Sequence, residues 1–349
     1  MAVTTAPRAS APARPGLARA RSTRSLGLVA AAGLLVVAVV LSVAVGSRLI
    51  PYGEVWRLLW HADGSAESAI VHQLRLPRTA LGLLVGIALG LSGVVMQALT
   101  RNPLAEPGLL GINLGASTGV VLAIAVAGVS SVTGYVWFAF AGAAVTAVAV
   151  FLLGSAGRTP TPDRQVLAGI AISAVLGAIV SGILVADRSA FDRFRFWDVG
   201  SLSDRDAGTA LRVAPFILVG SVLALVLGRS LNALALGEDT GRALGAHVRR
   251  TQAGGMLAVT LLCGAATAAV GPIWFVGLAV PHMARVVTGP DTRWVLAYSV
   301  LLAPALLLLA DVLGRVVVAP SELSVGIVTA FLGAPVFLAL VRTRRVAQL

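Results

Sequence analysis

The chain has 349 residues, 57% hydrophobic and only 12% charged, with a mean hydropathy of +0.91. A soluble domain carries about 25% charge, so a single water-facing core is excluded and a multi-pass membrane protein is expected. The 27 basic residues are all arginine and the formal net charge is +12. Without lysine the chain can hold neither a Walker A phosphate loop nor a Schiff-base enzyme.

Residues 1–24 carry Arg8, Arg14, Arg19, Arg21 and Arg24, no acid, and much Ala, Pro and Ser. They read as a disordered basic cytoplasmic tail. The apolar run 25–46 is too long for a signal-peptide core and reads as a retained first span. It opens a single membrane domain over 25–345. About 20 apolar residues cross a bilayer as a helix. On that measure ten spans are expected, at 25–46, 79–100, 108–128, 132–154, 165–186, 207–228, 252–270, 273–288, 294–315 and 323–341. Gly271-Pro272 is expected to make a tight turn between two short ones. With both termini inside, 17 of the arginines fall in inner segments and ten in outer ones. The positive-inside rule therefore favours cytoplasmic termini.

Glycine spacing predicts close packing. Gly82, Gly86 and Gly90 recur every four residues in the second span, as do Gly111, Gly115 and Gly119 in the third. Each set forms a smooth stripe on a helix. Between these spans lies RNPLAEP (101–107), whose prolines end the helix and whose charges are expected to reach water. Asn113, Ser117 and Thr118 then enter the third span and point to a face turned toward protein or a polar path.

Residues 187–206, DRSAFDRFRFWDVGSLSDRD, alternate charges with Phe191, Phe194, Phe196 and Trp197. They read as an amphipathic helix at the outer interface, placed for membrane anchoring or for substrate contact. Between spans six and seven, 229–252 reads as two short water-facing helices broken near Gly237 and Gly245. Glu238 and Asp239 stand at i,i+4 and i,i+3 to Arg242. This is either a plain connector or a docking surface for a cytoplasmic partner.

No catalytic or metal constellation is legible. His61, His72, His247 and His282 are too scattered for a local metal pair, and Cys263 reads as a small buried hydrophobe. Asp311 is the only acid well inside an apolar run and has no base beside it. An intramembrane enzyme is disfavoured, and no cofactor or nucleic acid is expected. An ion-coupled carrier is the alternative of another class, opposed by the scarcity of intramembrane acids.

Several motifs stand in order: RLPR (75–78), GLSGVVMQ (90–97), RNPLAEPGLLG (101–111), LGEDTGRALG (236–245), GPIWFVGLAVPHMAR (271–285), ADVLGR (310–315) and ELSVGIVTAFLGAPVF (322–337). Over about 65–345 the chain resembles the FecCD-type permeases of type II ABC importers, which take up ferric siderophores, haem or cobalamin, and is most similar to the ferric-enterobactin type. Ser324 stands where the family usually has proline. The resemblance implies an all-α permease fold of about ten transmembrane helices, working as half of a dimer with an identical or paralogous subunit in the bacterial cell membrane. It implies a ferric-siderophore substrate, with haem or cobalamin as alternatives, and no enzymatic activity in this subunit. A separate cytoplasmic ATPase would grip the hairpin at Gly237, Glu238, Asp239, Ala243, Leu244 and Gly245. An extracytoplasmic binding protein would dock on Arg75, Arg78 and Arg315; for Arg315 an intrahelical pair with Asp311 is the alternative. Thr161, Pro162, Asp163 and Arg164 would lie near the cytoplasmic gate.

Overall fold

The computed structural model describes residues 17–129, 132–155, 162–243, 245 and 247–342, and the regular structure among them is entirely helical. Helix α1 (Leu17–Ala44) is followed by the short α2 (Tyr52–Trp60). A 35-residue rod, Ala66–Thr100, comes next. It starts as α3 (Ala66–Ala69), loosens into a π-helical stretch at Ile70–Arg75, and continues as α4 (Leu76–Thr100). Then come α5 (Ile112–Ala125), α6 (Val132–Ser155), α7 (Pro162–Ala186), α8 (Arg188–Asp198), α9 (Ala207–Ala235), α10 (Glu238–Ala243), α11 (Val248–Val270), α12 (Val276–Thr288), α13 (Thr292–Val317) and α14 (Val325–Arg342).

Seven of these elements are long and apolar enough to cross a membrane. The other three expected spans are α5, α12 and α14, so the expected order of elements is recovered. Two of them differ in kind. With 14 and 13 residues, α5 and α12 rise only about 20 Å at 1.5 Å per residue, less than the roughly 30 Å hydrocarbon core. Non-helical segments complete their passages: 101–111, containing a 3-10 turn at Pro107–Leu110, and 271–275. The second is an irregular descent rather than the tight turn expected of Gly271-Pro272. Part of the basic tail also differs, because 17–24 already belong to α1; residues 1–16 lie outside the described residues.

Helices α4 and α11 form the centre, with 78% of their apolar windows buried, whereas α7 has only 11% buried. Leu167, Ile170, Val175 and Ile179 of α7 and Leu218, Val222 and Val226 of α9 lie exposed. An apolar face of that extent is stable only against lipid or another apolar surface. The glycine stripe of α4 meets α13, where a Cβ on Gly86 would overlap the backbone of Pro304. The stripe on α5 meets α6 in the same way, with Gly119 against the Phe138 carbonyl.

Candidate functional site

At one end of the bundle, where α1, α4 and α13 meet, two arginines fill the same structural need. The last carbonyls of a helix have no intrahelical donors and carry the negative end of its dipole. Arg75 Nη1 donates to the carbonyls of Val43 (3.0 Å) and Ala44 (2.8 Å), and its Nη2 to that of Arg48 (2.8 Å). Arg315 Nη1 donates to the carbonyls of Ser42 (2.9 Å) and Val45 (2.8 Å), and its Nη2 to Ser42 Oγ (3.1 Å). Together they cap α1 from α13 and from the π-helical turn.

Asp311, with no exposed side-chain surface, is the hub. Arg78 Nη2 reaches its Oδ1 at 2.7 Å and Arg315 Nη2 its Oδ2 at 2.9 Å. Arg78 also holds Glu322 at 2.6 Å, and Glu322 accepts from Ser47 and Ser203. Burial alone would raise the Glu322 carboxyl, but its hydrogen bond and charge pairing with Arg78 outweigh this and hold it below the usual glutamate value. Three cations against two carboxylates leave the cluster positive.

The family resemblance implied that Arg75, Arg78 and Arg315 would face a binding protein. The structure brings them together, but Arg75 is 4% and Arg315 2% exposed. Their guanidiniums are turned inward because the carbonyls of α1 and Asp311 claim them. Arg78 alone bridges from this hub to the rim, and the Asp311–Arg315 pairing is present alongside its other bonds. The cluster forms one wall of a cleft of about 910 Å³, whose opposite wall is α8 and the loop 201–206, with Arg193, Trp197 and Arg205. In α8, Phe194 and Trp197 are buried while Phe191 and Phe196 are exposed. The helix therefore packs on the core with one face instead of lying wholly in the interface.

The opposite end carries the hairpin. Here the structure replaces the two expected short helices with one: α9 runs on to Ala235, Gly237 turns with φ +104°, and only α10 stands free before Gly245 (φ +83°). Both dihedrals lie in the region that favours glycine. Asp239 accepts from Arg242 at 2.8 Å. Asp239 and Ala243 face outward while Gly241 is buried on the end of α9. Leu244 and the Glu238 side chain lie outside the described residues. In the segment 161–164, expected near the cytoplasmic gate, α7 begins at Pro162, Arg164 is exposed, and Thr161 is outside the described residues.

Sequence reasoning missed the polar contacts at mid-depth. Arg101 and Asn102 are exposed as expected, but Glu106 turns inward and its Oε1 accepts from the Phe275 backbone N–H at 2.6 Å. Phe275 is the N-cap residue of α12, with φ +71°. The RNPLAEP segment thus bends back so that one carboxylate can close the start of a half-length helix. Nearby, Arg285 donates to Gln97 at 2.6 Å and Thr267 to Asn113 at 3.0 Å, both buried. Asn113 therefore faces protein. A carboxylate flanked by prolines after a span was the one available signal for Glu106. Among the described residues no cluster of His, Cys, Asp or Glu could hold a metal.

Residues 34–343 match the FecCD transport family. Over 323 residues the chain is 48% identical to the ferric enterobactin transport system permease protein FepD of Escherichia coli (strain K12), covering 92% of this chain and 96% of that protein. It is 40% identical over 299 residues to the hemin transport system permease protein HmuU of Yersinia pestis, covering 83% and 88%. Among solved structures it is similar to one described as a metal-chelate type ABC transporter in an inward-facing conformation. The TM-score is 0.79 at 29% identity, over 90% of this chain and 98% of that one.

Proposed function

This chain belongs to the FecCD transport family and is a multi-pass ABC importer permease; on that premise we propose that its cargo is a ferric siderophore. The observation that carries the proposal is the 48% identity, spread over nearly the full length of both chains, with a permease named for ferric enterobactin. The match to the hemin permease HmuU is weaker and shorter, which makes haem the second reading.

An ABC permease performs no bond chemistry on its cargo; it works with an ATP-hydrolysing subunit and a second permease half. In our reading the ATPase grips the 229–252 hairpin through Gly237, Glu238, Asp239, Ala243, Leu244 and Gly245, and the termini lie on that cytoplasmic side of a bacterial cell membrane. Residues 161–164 lie near the inner gate. An extracytoplasmic binding protein docks at the other end, over the cleft. There Arg78 is the contact and Arg75 and Arg315 position it, a revision forced by their burial. Charge complementarity of this kind sets orientation and on-rate more than affinity. Coupling arises because the ATPase and the binding protein each favour different access states of the dimer.

The test is uptake of radio-iron as ferric enterobactin, and separately of hemin, in cells whose own permease of this type is deleted. Restored, ATP-dependent uptake of the siderophore supports the proposal. Restored hemin uptake alone would replace siderophore with haem, and transport without any ATPase subunit would refute the importer mechanism.

A further inference from the structure

We propose that α2 is an interfacial anchor, its exposed stripe of Tyr52, Trp56 and Trp60 seated in the phospholipid headgroup layer at the end of the bundle that carries the arginine cluster. The inference rests on the chain's being a multi-pass membrane protein and is independent of the cargo. The three rings stand at i, i+4 and i+8 and so share one face of the helix. They are 71%, 63% and 70% exposed, and the two indoles meet edge to face with ring centroids 6.0 Å apart. Another face of α2 holds Val55 and Leu58, which are buried with Val43 of α1, Ile50 and Val71. His72 Nε2 donates to the Leu58 carbonyl at 2.9 Å. This packing fixes the rotation of α2 and keeps the aromatic stripe turned away from the core.

Continuity with α1 names the occupant. Leu26, Val29, Val36, Val37 and Val40 recur at helical spacing on one side of α1 and all lie exposed. Only 22% of the apolar window of that helix is buried, so this side is covered by lipid. Val43, in the last turn of α1, packs on α2, and the leaflet that covers α1 therefore reaches α2 where the apolar side ends. Leu49, 95% exposed, lies between the two helices. The residue types change at that level as the depth requires. Aliphatic side chains suit the hydrocarbon core, whereas Tyr and Trp join an apolar body to an O–H or N–H and collect at the headgroups. The polar side of α2 fits the same place. Arg57 is matched by Glu54 and by Asp63 at 2.9 Å, and Arg48 by Glu67 at 3.1 Å. Such a helix, with an apolar face beside a hydrated charged one, is the form that lies at a bilayer surface. Charges matched among themselves also give little field to steer a soluble partner. Seated there, α2 sets the depth of the helix end whose carbonyls Arg75 caps.

The experiment uses the complete transporter, permease with its ATPase, in phospholipid nanodiscs. Spin labels are attached singly through Trp56→Cys, Trp60→Cys and Arg57→Cys in a Cys263→Ala background. Collisions with oxygen, which concentrates in lipid, are compared with collisions with a water-soluble nickel chelate. Labels at 56 and 60 are expected to meet oxygen more than nickel and the label at 57 the reverse, with no change on adding the binding protein. A second measurement keeps the native rings. Tryptophan emission of wild type and of Trp56→Phe/Trp60→Phe is compared in vesicles of phospholipid brominated near the glycerol or near the chain ends. Glycerol-end bromines are expected to quench the wild type more than the variant, and to separate the two more than chain-end bromines do.

Nickel collisions at 56 and 60 as frequent as at 57 would leave the stripe in water and overturn the proposal. Low collision with both reagents would mean that protein covers the face, a second permease subunit if the binding protein is absent and the binding protein if the shielding appears on its addition. Either overturns it. So would equal quenching of wild type and variant, or a larger separation with chain-end bromines.

Discussion

Arg78 and Asp311, 233 positions apart, form a buried ion pair at 2.7 Å, with Arg78 donating to both carboxylate oxygens. Asp311 has no exposed side-chain surface, and the same carboxylate also neutralises Arg315. Removing one partner of a buried pair leaves an uncompensated charge, which costs about 3–5 kcal/mol. Asp311→Ala is therefore expected to lower the melting temperature of detergent-purified protein sharply. The exposed Arg48–Glu67 pair provides the contrast: Glu67→Ala there should cost under about 1 kcal/mol. Equal effects of the two substitutions would refute the hub assignment.

Glycine packing yields a second expectation. A methyl group on Gly86 meets the Pro304 backbone, which has no flexible end to move aside, whereas Gly33 has nothing within 4 Å of an added Cβ. Overpacking of this kind costs about 1–3 kcal/mol. Gly86→Ala should separate α4 from α13 and destabilise the protein, while Gly33→Ala should leave the melting curve unmoved. A neutral Gly86→Ala would mean the two helices do not approach so closely.

The order of the spans and the two glycine stripes were legible because both follow from local composition and helical period. The same holds for Asp239–Arg242 and Asp311–Arg315, each within one helical turn. Arg78–Asp311, Arg75 on the α1 carbonyls and Glu106 on Phe275 were not legible. Each joins elements far apart in the chain, and no periodicity names the partner of a side chain across a fold. Burial of Arg75 and Arg315 was hidden for the same reason, since outer-loop arginines look alike in sequence whether they face water or a helix end. The lengths of α5 and α12 were overestimated because apolar residues in an irregular buried segment count toward a span as fully as helical ones do.

The carboxylate of Glu106 supplies a third test. It acts as an acceptor at the start of α12, a role whose loss costs about 0.5–2 kcal/mol at a helix N-terminus. Glu106→Gln keeps an acceptor and Glu106→Ala does not. Uptake and thermal stability should fall in the order wild type, Gln, Ala. If Gln proved as damaging as Ala, the negative charge would matter and not the hydrogen bond.

Glu322 provides a pH expectation. Its folded-state value is depressed by Arg78, so its contribution is present above the usual glutamate value of about 4.3 and is lost as pH falls through the lower folded value. The melting-temperature gap between wild type and Glu322→Gln should stay constant above about pH 5.5, then narrow as the solution is acidified. A gap that widens in acid would contradict the pairing.

At the hairpin, Asp239 is 99% exposed in its side chain, so charge reversal by Asp239→Arg should leave the melting temperature unchanged. The same variant should weaken co-purification with the ATPase by about tenfold or more, on the scale of one lost contact. An unaltered ATPase yield would remove the hairpin from the interface.

The two guanidiniums that cap α1 have a mechanical consequence. Because Arg75 precedes α4 directly and Arg315 belongs to α13, three rods are riveted at one end, and the glycine seam between α4 and α13 clamps two of them along their length. Sliding any one past the others would expose several helix-end carbonyls at once. These three helices therefore move as one strut, whereas α7, with only 11% of its apolar window buried, is the least held of the long helices.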